Sequence, residues 1–117
     1  MADVTRDVGT RVVFENEVIR MWHFELEPGE ETPMHKHEND YMWYSIKGAP
    51  LACTGEKGED LGTIDSPTGF SINIKADGEE LIVLDEDGEE KSRFPATHKA
   101  RNAGHEKYVE ILVEFKK

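Results

Sequence analysis

The sequence predicts an all-β fold, an antiparallel sandwich or barrel, on three observations. Apolar residues recur in short runs that alternate with polar residues or fill about four to eight consecutive positions, as strands do. No window of about eleven or more residues has the period of roughly 3.6 that an amphipathic helix requires. Ten glycines and five prolines are spaced along the chain in the manner of turns between strands. Short strands at this spacing are typical of sandwiches and barrels.

The predicted strands follow one another along the whole chain and are separated by turn residues. The second one, residues 18–26, is apolar on both faces and ends before Pro28 and Gly29, which favour a turn. The last one alternates four apolar residues on one face with Glu110 and Glu114 on the other. In chain order the predicted strands cover residues 11–14, 18–26, 32–37, 41–47, 49–54, 61–65, 70–74, 81–84 and 108–115.

Length and charge restrict the domain organisation and the partners. The 117 residues suit one domain, 1–117, with residues 1–10 as a flexible or swapped N-terminal arm. The net charge of −11 argues against nucleic acid and against an anionic membrane surface, because both attract basic proteins. The acidic run 85–90 lacks the spacing of a calcium loop and is interpreted as a solvated hairpin tip. Because strand 18–26 has two apolar faces and needs a cover, we expect a homodimer. The other expected partner is a small-molecule substrate.

Cysteine content and the N-terminus indicate a cytoplasmic protein. Cys53 is the only cysteine, so the chain has no intrachain disulfide and suits a reducing compartment. The N-terminus has no apolar stretch of a signal peptide, and no apolar run approaches the ~20 residues of a membrane helix. Cys53 has no second cysteine and no clear base near it in sequence, so we interpret it as a buried strand thiol and not as a nucleophile.

Two histidines separated by one residue form the strongest functional pattern. His35 and His37 lie in predicted strand 32–37, and side chains two apart on a strand project from the same face. Their imidazoles are therefore expected close enough to bind one metal ion, whereas a helix would direct them apart. A third ligand from a distant part of the chain would strengthen this interpretation, and His98 is the best candidate.

The spacing around these histidines resembles two sequence motifs of the cupin superfamily. The segment 29–48 has the glycine and histidine spacing of the first motif, G-x5-H-x-H-x3,4-E-x6-G. The segment 95–102, PATHKARN, is similar to the second motif, P-x-G-x2-H-x3-N, although two residues, the glycine among them, are missing before His98. The resemblance extends from about Arg11 to Phe115 and so includes nearly the whole chain.

The resemblance implies a fold and a ligand set. The fold is a double-stranded β-helix, a jelly-roll-like barrel with a divalent metal ion in its mouth. The implied metal ligands are His35, His37 and His98, and Tyr41 occupies the position of the motif's glutamate ligand. A phenol is a poor anionic ligand at neutral pH, because its ordinary pKa is about 10. The expected site therefore has three histidines and leaves its other positions to water or substrate.

Residues near the histidines are candidates for further roles. Asp40 or Glu38 would supply a carboxylate ligand if a β-bulge re-aimed the chain, and a turn or surface position is the alternative for Asp40. Tyr41 is the candidate catalytic residue, as a proton donor, or else an ordinary core aromatic. Trp43 and Arg20 are candidate substrate-binding residues, the first as a wall of the pocket and the second as a clamp for an anionic substrate. Core packing and a rim ion pair are the respective alternatives.

The three-histidine set leaves the metal and the reaction open. Neutral nitrogen ligands suit Fe(II), Zn, Ni, Cu or Co. Related three-histidine cupins are oxygenases that cleave small diketones or oxidise thiols. The resemblance therefore implies, with Fe(II), a non-haem dioxygenase acting on a small organic acid, dicarbonyl or thiol. The alternatives are a Zn- or Ni-dependent lyase or isomerase and a non-catalytic cupin that binds a small ligand.

Overall fold

The computed structural model describes residues 4–116, which form eleven strands and no helix. The all-β prediction is therefore confirmed. Nothing in residues 4–116 is a helix of the length and apolarity that crossing a membrane requires. The strands are β1 (Arg11–Glu15), β2 (Ile19–Leu26), β3 (His35–Lys36), β4 (Asp40–Lys47), β5 (Ala49–Gly55), β6 (Asp60–Ser66), β7 (Ser71–Asp77), β8 (Glu80–Leu84), β9 (Glu90–Pro95), β10 (Thr97–Asn102) and β11 (Tyr108–Phe115).

The strands form two antiparallel sheets that enclose the core. The seven-stranded sheet has the order β1-β2-β11-β4-β7-β8-β9, and the four-stranded sheet has the order β3-β10-β5-β6. Every second residue of β5 and of β11 is buried, as expected for strands that pack one face on a core. Because β4 follows β3 across the two sheets and β10 pairs with β3, residues from distant parts of the chain meet between the sheets.

The apolar core consists of two clusters of buried side chains between the sheets. The larger cluster includes both tryptophans, and the smaller one lies around the buried ring of Tyr108. Members of the larger cluster are Val8, Trp22, Tyr41, Trp43, Ile74, Leu81, Ala96 and Leu112. Members of the smaller cluster are Phe24, Leu26, Ala49, Leu51 and Tyr108. Cys53 is buried between the sheets, as predicted for a strand thiol.

The described part of the predicted N-terminal arm, residues 4–10, packs on its own chain. The Thr5 N–H donates to the Met34 carbonyl at 3.1 Å, and the Lys36 N–H donates to the Thr5 carbonyl at 2.9 Å. Val8 is buried in the larger apolar cluster. These contacts fix β3 from its outer edge. The first three residues lie outside the described residues, and exchange of the arm between two copies stays a prediction.

The glycine that ends the first motif-like segment has a packing role. Gly48 lies between β4 and β5, and a Cβ atom there would collide with the backbone of Pro67 and Thr68. Its N–H donates to Thr68 Oγ1 at 2.9 Å. Only a glycine allows this approach of two backbone segments without a shift of one of them.

The observed strands differ from the predicted ones in two regions. Strands β9 and β10 were not predicted, since four of the six residues of β9 are exposed and most buried residues of β10 are polar. The strand predicted at 32–37 contains only the two residues of β3, and Pro33 has no N–H for a longer ladder. The acidic run 85–90 includes an exposed turn between β8 and β9, as predicted.

Candidate metal centre

Three buried histidines meet on the inner face of the four-stranded sheet. His35 on β3 and His98 on β10 are direct partners in the strand ladder. His37 follows β3, and its ring centroid lies 4.9 Å from that of His35. One nitrogen atom of each histidine lies within 4.8 Å of the others. The structure thus brings together the three residues that the sequence indicated as metal ligands.

Backbone carbonyls fix the tautomers of two of these histidines. His35 Nδ1 lies 2.9 Å from the Pro33 oxygen, and His98 Nδ1 lies 2.9 Å from the Pro95 oxygen. A carbonyl oxygen only accepts hydrogen bonds, so Nδ1 of both rings is the protonated donor. In the neutral rings the lone pair then resides on Nε2. A histidine that binds metal through one nitrogen usually donates from the other in this way.

Burial keeps all three imidazoles neutral at physiological pH. Burial lowers the pKa of His35. Burial, assisted by the charge of His35, lowers the pKa of His98 to about 4. The pKa of His37 lies well below 6.5 because of burial and the two neighbouring imidazoles. His37 Nδ1 is also the only fully buried side-chain polar atom of residues 4–116 without a hydrogen-bond partner. Clustered neutral nitrogens with free lone pairs fit a divalent cation.

The three histidines line a cavity of about 90 Å³ between the sheets. Side chains from both sheets form its walls, and most of them are aliphatic or aromatic. Among the described residues, the other lining side chains with a titratable group are Tyr41, Cys53 and Glu110. An apolar cavity with a few convergent polar groups is the usual form of a small-molecule site.

Tyr41 and Trp43 are both placed at this cavity, in agreement with their predicted positions. The Tyr41 ring stacks on His37, with centroids 4.2 Å apart and planes 12° from parallel. Burial, with the charge of Glu110 adding to it, raises the pKa of Tyr41 well above 10, so the phenol keeps its proton. Trp43 Nε1 donates to Ser66 Oγ at 3.3 Å, and its ring forms part of the wall.

The other predicted candidates lie outside the histidine cluster. Asp40 Oδ1 accepts the Ala76 N–H at 2.9 Å and is not a member of the cluster. The Glu38 side chain is exposed and pairs with an arginine of the N-terminal arm. Arg20 is not among the residues that line the cavity, and its Nη2 donates to Glu15 at 2.9 Å. The rim ion pair is therefore the observed state of Arg20.

Glu110 lines the cavity and was not predicted as a site residue. The alternation in the sequence places four apolar residues on the other face of β11, but the fold buries Tyr108, Glu110, Leu112 and Glu114 instead. Burial raises the pKa of Glu110 to about 8, while a hydrogen bond from Tyr108 opposes this shift. The available signal was that Tyr108 and Leu112, two large core-forming residues, share the face of Glu110.

Comparison with solved structures identifies the architecture. A cupin domain from Bordetella pertussis Tohama I superposes with a TM-score of 0.64 at 21% identity, over 92% of this chain and 91% of that chain. The chain has the cupin fold. A double-stranded β-helix protein from Klebsiella pneumoniae gives a TM-score of 0.52 at 16% identity, over 87% of this chain and 70% of that one.

A third structure with the cupin fold is an enzyme. The polyketide cyclase RemF from Streptomyces resistomycificus superposes with a TM-score of 0.55 at 15% identity, over 92% of this chain and 63% of that chain. No family model matches the sequence, and no curated protein does. The predicted cupin resemblance is therefore confirmed as a likeness of fold.

Proposed function

We propose that this cupin-fold protein binds a divalent metal ion through His35, His37 and His98 and is a dioxygenase for a small organic acid, dicarbonyl or thiol. The observation that supports the proposal most is the buried cluster of three neutral imidazoles at an apolar cavity. Fe(II) is the favoured ion because the chain resembles three-histidine oxygenases of the cupin superfamily. When bound, such an ion supplies the redox chemistry that the protein's own side chains lack.

The chain's own residues limit the substrate and hold it. The cavity of about 90 Å³ limits the substrate to a small molecule. The apolar walls exclude water from the histidine cluster. The rings of Tyr41 and Trp43 form one side of the space in which a substrate lies.

A non-oxidative reaction is the second candidate, and the state of Tyr41 favours it. A protonated phenol stacked on His37 is suited to donate a proton to a substrate in the cavity. With Zn or Ni this chemistry would be that of a lyase or isomerase. RemF, a cyclase with the same fold, indicates that the fold does not select oxygen chemistry.

Oxygen uptake distinguishes these functions. Protein loaded with Fe(II), and separately with Zn, is mixed with a panel of small diketones, organic acids and thiols, and dissolved oxygen is recorded. Uptake with Fe(II) and not with Zn is the expected result. Conversion of a substrate by the Zn form without oxygen uptake would instead support the lyase or isomerase. If both forms bind panel members and convert none, the protein is a ligand-binding cupin.

We also propose that two copies associate through the outer face of the seven-stranded sheet. This face and edge strand β1 expose large apolar side chains, which association would bury. The net charge of −11 makes two copies repel each other, and burial of this apolar surface would offset the repulsion. Tyr44 lies opposite Ile111 in the ladder, which extends the apolar surface across β4 and β11. The exposed side chains are Val12, Val13, Phe14, Val18, Tyr44, Ile46 and Phe115.

Light scattering tests this association. At micromolar concentration we expect the mass of two chains, and a Tyr44→Lys, Ile46→Lys variant should have the mass of one. The variant leaves the cavity unchanged, because both side chains are on the outer face. A mass of one chain for the unaltered protein would contradict the homodimer.

A further inference from the structure

Only one of the two carboxylate oxygens of Glu110 has a protein partner. Glu110 Oε1 accepts from the Tyr108 hydroxyl at 2.5 Å. The Tyr108 oxygen lies 3.1 Å from Ser66 Oγ and 3.3 Å from Ser45 Oγ, so a buried network fixes its position. Glu110 Oε2 has no hydrogen-bond partner among residues 4–116 and, unlike His37 Nδ1, is not fully buried, and Glu110 lines the cavity. The free oxygen therefore belongs to the only carboxyl group that meets the cavity in the described part of the chain.

The other buried carboxylate of β11, that of Glu114, provides a contrast within the same strand. Glu114 Oε1 accepts from Trp22 Nε1 at 2.7 Å, and Glu114 Oε2 accepts from Asn39 Nδ2 at 3.2 Å. Glu114 does not line the cavity. Both of its oxygens are used in holding the fold, as buried polar groups ordinarily are. In Glu110, by contrast, only one of the two oxygens has such a role in the fold.

We propose that Glu110 is a ligand-binding residue, whose Oε2–H donates a hydrogen bond to a carbonyl oxygen of a small oxo acid held at its other end by the metal ion. The inference rests on the proposed function, because the metal centre is the second anchor of the ligand. It narrows the substrate class to molecules with an acid group and a separate carbonyl. The apolar walls contact the carbon chain between these groups.

The protonation state of the cavity agrees with this role. Burial raises the pKa of Glu110 to about 8, so the neutral acid predominates at pH 7. Tyr108 occupies Oε1 as a donor, which directs the acid proton to Oε2. The titratable groups that line the cavity together with Glu110 are Tyr41 on β4, Cys53 on β5 and the three histidines. Burial raises the pKa of Tyr41 and of Cys53, to about 11 for Cys53, and it also raises that of Tyr108.

Matched ligand pairs test the proposal by calorimetry on Zn-loaded protein. Levulinate is compared with pentanoate, and 5-oxohexanoate with hexanoate, so that each oxo acid has a partner without the carbonyl. In at least one pair we expect the oxo acid to bind about three- to tenfold more tightly at pH 6.5, the range of one net hydrogen bond. At pH 9.5 the preference should be lost, because the ionised carboxylate no longer donates. Both acids of a pair bind the metal through the same carboxylate. The ratio of their dissociation constants therefore cancels any effect of pH on metal binding.

Two substitutions separate hydrogen bonding from structure. Glu110→Gln keeps an acceptor for Tyr108 and an N–H donor toward the cavity, so it should retain the preference at both pH values. Glu110→Met should abolish the preference at both pH values, and its Zn content reports whether the metal centre is intact. If the methionine variant does not fold, the proposal is still tested by how the oxo-acid preference changes with pH in the unaltered protein and in Glu110→Gln.

Equal affinities within both pairs at pH 6.5 would overturn this inference and leave the proposed metal function intact. A preference that is lost in Glu110→Gln, or that persists in the unaltered protein at pH 9.5, would also overturn it. If Zn content is low and none of the four acids binds, both the inference and the proposed function fail.

Discussion

The raised pKa of Glu110 predicts that the protein loses stability at mildly alkaline pH. A glutamate in the unfolded chain has a pKa near 4.5, and burial raises that of Glu110 to about 8 in the fold. Protonation therefore stabilises the folded state. This contribution is fully present below pH 4.5 and is lost as the pH rises through about 8. Each pH unit well inside this interval corresponds to about 1.4 kcal/mol, so about 3 kcal/mol is lost between pH 6 and pH 9.

Urea unfolding of metal-free protein at pH 6 and pH 9 measures this loss, with Glu110→Gln as the control. The glutamine side chain has nearly the same shape and does not ionise. Other titrating groups are common to both proteins, so the difference between them isolates Glu110. We expect the unaltered protein to lose about 3 kcal/mol more than the variant. Equal losses in the two proteins would refute the argument that Glu110 is buried as a neutral acid.

Three further predictions follow from the geometry. Tyr41→Phe should leave metal content unchanged and lower turnover of an identified substrate at least about tenfold, because the phenol that donates a proton is lost. Full turnover in this variant would mean that Tyr41 only packs in the core. Gly48→Ala should lower the free energy of unfolding by about 2 kcal/mol or more, because the added Cβ would collide with the backbone of Pro67 and Thr68. Urea unfolding measures this loss, and an unchanged urea midpoint would contradict it. Between pH 6.5 and pH 4, metal-free protein should lose about 2–3 kcal/mol more than His98→Gln, because over most of this interval only the unfolded chain takes up a proton at His98. Parallel unfolding curves would contradict that last prediction.

The fold was largely predictable because most strands bury apolar residues at a regular spacing. Strand β2 and strand β4 have their large residues at alternate positions, and both appear where the sequence placed them. Strand β10 did not, since Thr97, His98 and Asn102 are buried yet polar. Hydrophobic periodicity cannot reveal a strand whose inward residues serve a site or a hydrogen-bond network.

The histidine cluster was predictable from spacing, and the rest of the cavity was not. Two histidines two apart on an extended segment share a face whatever the rest of the fold is, so His35 and His37 needed no tertiary information. The pairing of His98 with His35 depends on the β3–β10 register, which only the motif resemblance indicated. Glu110 shows the limit of parity alone, because the sequence does not say which face of a strand meets the core. Arg20 has the parity of the buried Trp22, but it lies near the end of β2 and pairs with Glu15.

Metal content is the most direct test of the central claim. Purified protein is exposed to Fe(II), Zn or Ni, freed of unbound ions and examined by elemental analysis, together with His98→Ala and the matched control His23→Ala. His23 lies on the outer face of β2 and pairs with Glu25, away from the cavity. We predict about one ion per chain in the unaltered protein and in His23→Ala, and a loss of binding in His98→Ala. Absence of bound metal in all three proteins, or equal content in the His98 variant, would contradict a three-histidine metal centre.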